Sequence, residues 1–167
     1  MVEGDNLSVK MDVKALILDP IANMPVVILR DAEEKNFLPI WVGVFEANAI
    51  ALQMEGIATP RPMTHDLLRN IIRQIEGHVV RVVINNLQEN TFYAEIHLQI
   101  GGRDLMIDSR PSDAIALALR LDAPVFVEES VLERSRSGED STDAQNLERI
   151  RKWLEEADPE TLSKYKM

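Results

Sequence analysis

The chain has 167 residues, 46% hydrophobic and 28% charged, with 18 Lys and Arg against 28 Asp and Glu, a formal net charge of −10. That balance fits one well-packed soluble domain, excludes a disordered chain and argues against generic electrostatic binding of nucleic acid, which needs a basic footprint. The lack of any cysteine excludes disulfides, thiolate chemistry and Cys-ligated metal centres, leaving Asp, Glu and His as metal donors.

No apolar run approaches the roughly 20 residues needed to cross a bilayer, and the N-terminus lacks a basic flank before an apolar core, so the expected location is cytoplasmic, away from membranes. The charge is uneven: between Arg61 and Arg81, the cations Arg61, Arg69, Arg73 and Arg81 face only Asp66 and Glu76, with His65 and His78 nearby.

Val9 to Leu18 alternates and then turns wholly apolar, as a strand passing from half-buried to buried does. The turn from Asp19 to Asn23 leads to a strand from Pro25 to Leu29, a hairpin. A third strand spans Phe37 to Val44, and Pro39 confines it to an edge or a bulge. Glu46 to Met54 reads as a helix stopped by Gly56, and the two prolines of Ile57–Pro62 make a rigid connector. A second helix starts with Thr64 as N-cap and Asp66 in the first turn. It runs through Ile71, Ile72 and Ile75 on one apolar face and ends at Gly77.

Val79 to Leu87 and Thr91 to Ile100 form a hairpin. Phe92, Ala94, Ile96, Leu98 and Ile100 point inward, and Tyr93, Glu95, His97 and Gln99 point outward. A strand from Asp104 to Ile107 enters the polar turn Asp108-Ser109-Arg110-Pro111-Ser112-Asp113 and then an Ala/Leu-rich helix. Pro124 to Val127 is a last short strand. Composition marks 134–143 as a linker and 144–157 as a helix with Leu147, Ile150 and Leu154 on a stripe and Trp153 beside it. The expected division is a domain over 1–133, the linker 134–143 and a helical appendage over 144–167.

This order predicts an α+β fold: a single domain of mixed or antiparallel sheet with two repeated strand–helix units and a C-terminal helix. The repeat shows in Ala49-Ile50-Ala51-Leu52 and Ala114-Ile115-Ala116-Leu117, each following an acidic turn. No Gly-rich phosphate loop is present, since Gly101-Gly102 lies in a hairpin turn.

Several motifs occur together and in order: Leu38-Pro39-Ile40-Trp41-Val42-Gly43, Glu46-Ala47, Pro60-Arg61-Pro62, Thr64-His65-Asp66-Leu67-Leu68, Thr91-Phe92-Tyr93-Ala94, and Asp108 to Ala118. Over Val9 to Leu132 the chain resembles the bifunctional nuclease (BFN) domain family. The resemblance implies an α+β fold, a homo-oligomer, and activity on DNA and RNA of the kind ascribed to plant members.

The residues themselves offer two readings at each position. Asp108 and Asp113 suit a divalent metal, Mg²⁺ or Mn²⁺, with Glu46 completing the set and Arg110 holding a phosphate. The same turn is also an ordinary helix start, with Ser109 or Ser112 as cap and Asp113 favouring the dipole. His65 reads as a general acid or base, oriented by a carboxylate, with Arg61 on the phosphate. Asp66 is a poor direct partner for it, because adjacent helical residues diverge by about 100°. The functional alternatives are a metal-assisted phosphodiesterase with nucleic acid as substrate, a non-catalytic module for a small anionic ligand or partner protein, and a structural oligomer. The first requires the two acidic turns and the histidine segment to share one hollow.

Overall fold

The computed structural model describes residues 7–137, 148, 150–152 and 155–156. Seven strands form one sheet: β1 (Ser8–Asp19), β2 (Met24–Arg30), β3 (Phe37–Trp41), β4 (His78–Gln88), β5 (Thr91–Ile100), β6 (Arg103–Ser109) and β7 (Val125–Glu128). Their order is β3-β2-β1-β7-β4-β5-β6, antiparallel throughout except for the parallel β4–β7 pair. The helices with both ends among the described residues are α1 (Val44–Met54), α2 (Thr64–Gln74), α3 (Pro111–Leu121) and α4 (Glu129–Ser137). The fold is α+β.

One face of the sheet carries the main core. Val27, Leu29, Leu38, Ile40, Val82, Ile84, Ala94 and Leu98 from the strands meet Ala47, Ile50 and the run Ala114 to Ala118. The alanines let α1 and α3 sit close to the sheet and to each other, and the two helices pack together. The repeated units are therefore neighbours, with their N-termini side by side. On the opposite face a smaller cluster joins Ala15, Ile17, Val26 and Ile28 to Ile150. Ile150 belongs to the predicted C-terminal stripe; Leu147, Trp153 and Leu154 lie outside the described residues.

Pro39 sits on β3, an edge strand, where its missing N–H costs no ladder bond. Several boundaries differ from expectation. The third strand ends at Trp41, and α1 starts at Val44 behind an extended Gly43. Asp108, assigned to the turn, is inside β6. Residues after Glu128 continue as α4 through Ser137, across the start of the expected linker, because Val131 and Leu132 are buried in the core.

The N-cap of α2 is Met63, not Thr64; Asp66 Oδ2 accepts the Met63 N–H at 3.0 Å. The apolar stripe of α2 is mostly uncovered. Ile72 packs on the core, but Leu67, Leu68, Ile71 and Ile75 are exposed, and His65 is the one buried residue of the helix. At the far end, Glu76 and not Gly77 takes the left-handed backbone, with φ +56°. Gly77 is small for another reason: a Cβ there would lie 3.2 Å from Ile72 and 3.3 Å from Leu98.

A left-handed Glu is strained where glycine is not. Glu76→Gly should therefore stabilise the fold by about 0.5–1 kcal/mol, seen as a higher urea midpoint with unchanged slope. An unchanged or lower midpoint would contradict this account of the α2 terminus.

Candidate active site

Three helices start at one place. Gly43 opens α1, and Glu46 in its first turn folds back so closely that a Cβ on Gly43 would collide with its Oε2. Arg110 is the N-cap of α3, with Pro111 supplying the first helical φ. From the start of α2, His65 reaches across to α3.

Four side chains connect in series. Arg110 donates from Nη1 to Glu46 Oε1 and from Nε to Asp113 Oδ2, each at 2.8 Å. Asp113 accepts on its other oxygen from His65 Nε2 at 2.9 Å. Burial alone would raise the Asp113 carboxyl, but the hydrogen bonds from Arg110 and His65 outweigh it and hold the group below its ordinary range. Asp113 is thus an acceptor-only carboxylate, which fixes the His65 proton on Nε2. Nδ1 of His65 keeps its lone pair, with no hydrogen bond to a described residue, and is not among the buried unpartnered atoms. The imidazole is mostly buried, whereas the Arg110 side chain is 65% exposed and leaves Nη2 uncommitted among the described residues.

The sequence-derived candidates divide. Glu46, His65, Arg110 and Asp113 come together. Asp108 does not: it pairs across from Glu95 in β6, while Leu105 and Ile107 share the helix-covered face with Leu98 and Ile96. By strand alternation Asp108 points to the opposite side of the sheet. Arg61 is exposed on the connector, where its carbonyl accepts from Thr59 Oγ1; its guanidinium makes no ion pair among the described residues. His97, expected to point outward like Glu95, is largely buried: Nδ1 accepts from Arg81 Nε at 3.3 Å, and Glu95 stands 3.4 Å from Nε2.

The described residues contain no group of three or more His, Asp or Glu placed to share a metal ion. Glu46 and Asp113 each commit an oxygen to the Arg110 cation, and Asp108 lies on the other face. The proposed donor set does not fit a metal centre.

Sequence reasoning missed Arg120. Its guanidinium is 2% exposed and donates to three partners: Asp66 Oδ1 at 2.7 Å, Ala116 O at 2.8 Å and Ala49 O at 2.9 Å. These partners lie on α2, α3 and α1, so one side chain ties the three helices together. Burial pushes the Asp66 carboxyl up, yet the bonds from Arg120 and the Met63 N–H, with the charges of Arg120 and Arg69, bring it below its ordinary value. Beside this pair lies a hollow of about 320 Å³, walled by Leu52, Ile57, Thr59 and Arg69.

Comparison with known proteins places the chain in a family. The Bifunctional nuclease domain matches residues 27–139, and the chain belongs to that family. It is 40% identical over 147 residues to the Uncharacterized protein Rv1829 of Mycobacterium tuberculosis (strain ATCC 25618 / H37Rv), covering 83% of this chain and 88% of the relative. Bifunctional nuclease 1 of Oryza sativa subsp. indica is 28% identical over 134 residues, 76% of this chain but 40% of the rice protein. Bifunctional nuclease 2 of Oryza sativa subsp. japonica is 27% identical over 114 residues, 66% and 35% of the two chains.

Asp66→Asn would leave the Arg120 charge buried without a counter-ion, costing about 3–5 kcal/mol at pH 7. Because the folded Asp66 carboxyl lies below its ordinary 3.8, its stabilisation is complete above that pH and fades as pH falls through the lower folded value. Urea midpoints of the variant and the parent chain should therefore converge in acid. A constant gap from pH 7 to pH 2.5 would refute this.

Proposed function

We propose that the chain hydrolyses phosphodiester bonds of DNA and RNA in the cytoplasm as a homo-oligomer, with His65 as the proton-transfer group. The observation that carries this is the His65–Asp113–Arg110–Glu46 series. Asp113 holds Nε2 and orients the imidazole so that Nδ1 is the nitrogen that accepts a proton. Nδ1 removes the proton from an attacking water as its oxygen bonds to phosphorus. As the bond from phosphorus to the leaving oxygen breaks, the imidazolium returns a proton to that oxygen. Arg110, exposed and with Nη2 uncommitted, contributes charge to the non-bridging oxygens. Arg61, on the connector leading into α2, adds a second cation for the phosphate.

Phe45 supports nucleic acid as the substrate. It is 88% exposed and immediately precedes Glu46, so a base can stack beside a phosphate held at Arg110. Two exposed arginines, Arg110 and Arg61, and one exposed aromatic supply local recognition that the net charge of −10 does not provide. A second reading, a binding module for a small anionic ligand, draws on the hollow lined by Arg69 and Arg120. A ligand that raises Tm without turnover would favour it.

Hydrolysis of single-stranded DNA and RNA, assayed with Mg²⁺ present, should fall by about 10²–10⁴-fold in His65→Ala. Asp113→Asn should fall by a similar factor, while Asp108→Asn keeps the parent rate. Equal rates for the parent and His65→Ala would show that the activity belongs to a contaminant.

A further inference from the structure

The sheet has two edges, and they differ. At β3, Leu38, Pro39 and Ile40 are buried, Pro39 lacks an N–H, and α4 packs against the strand. At β6 no strand or helix among the described residues pairs with the outer edge. Every residue from Arg103 to Asp108 is exposed, including Leu105, Met106 at 69% and Ile107.

Helix α2 extends this apolar surface. Its N-terminal end meets α3 through His65 and Asp113, next to the C-terminal end of β6. Its C-terminal end reaches Leu98 through Gly77, and Leu98 pairs with Leu105 near the start of β6. The helix thus runs antiparallel to β6 on the same side of the sheet as Leu105 and Ile107. The exposed residues Leu68, Ile71 and Ile75, spaced three and four apart, form a stripe beside that edge.

Five large apolar side chains on this side, Leu68, Ile71, Ile75, Leu105 and Ile107, are each more than a third exposed, while Met106 is exposed on the other face of the strand. Together the five leave on the order of a few hundred Å² uncovered, as large as the largest patch usual on a monomer, which is often an interaction site. A bare, apolar strand edge is a surface that soluble proteins cover. The occupant must supply an unpaired extended strand and an apolar helical stripe. The chain itself offers both at β6 and α2, while its other sheet edge is closed to pairing. Head-to-tail growth from β6 to β3 is therefore blocked, and only a closed two-fold arrangement remains.

We propose that two copies join edge to edge through antiparallel β6 strands, forming one continuous sheet with the two α2 stripes packed together along the seam. Sedimentation equilibrium should give twice the chain mass of 18.9 kDa. Ile107→Lys and Leu68→Lys should each sediment as folded monomers, with far-UV circular dichroism retained. Because the chain has no cysteine, a single Met106→Cys at the centre of β6 should form a disulfide-linked dimer on oxidation, which requires Cα atoms within about 7 Å. Met24→Cys, at the β1–β2 turn, should not. A monomeric parent chain, a dimer that survives both lysine substitutions, or equal cross-linking of the two cysteine variants would overturn the proposal.

Discussion

The structure depends on a single buried guanidinium. Arg120 is shared by the carboxylate of Asp66 on α2 and by carbonyls on α1 and α3. A charge taken out of water is tolerated only when its donors are satisfied with good geometry, so the three helices cannot shift independently without orphaning part of it. Asp113 and Arg120 are seven residues apart on α3 and fall on one stripe of the helix. Adjacent residues of α2, His65 and Asp66, serve the two: one reaches the upper position, the other the lower. The contact that locks the helices therefore also sets His65 opposite Asp113.

The local electrostatics follow from this convergence. Three helix N-termini meeting at one point create a positive field. Glu46 and Asp113 answer it, and Arg110 between them prevents the two carboxylates from repelling each other. The result is a mostly neutralised, half-buried group with one exposed cation and one imidazole whose outer nitrogen is free to take a proton. This suits proton transfer near a phosphate better than it suits capture of a metal ion, for which the carboxylate oxygens would have to be released from Arg110.

Much of this was legible in the sequence. The β4–β5 hairpin and its inward set follow from alternation, and Ala94 and Leu98 are indeed buried. The twin Ala-Ile-Ala-Leu runs identified two helices that pack on one another, and their starts are joined by Arg110, which links Glu46 to Asp113, the partner of His65. Asp108 was misplaced because a polar residue at a strand end looks the same whether it closes the strand or opens the turn; β6 runs two residues further than its apolar run. The exposure of the α2 stripe was not legible, because periodicity reveals an apolar face but not whether anything packs on it. Arg120 leaves a signal in the sequence. It stands within the apolar run Ala114 to Leu121, with no acidic residue three or four positions away, so its partner had to be distant in sequence.

The central claim is that Asp113 fixes the proton of His65 on Nε2 and leaves Nδ1 as the base. With only three histidines in the chain, long-range ¹H–¹⁵N correlation spectra of the imidazoles test it directly. At a pH where His65 is neutral, the account predicts the Nε2–H tautomer for this residue, with that preference lost in Asp113→Asn. An Nδ1–H tautomer, or a His65 spectrum indifferent to Asp113→Asn, would contradict it.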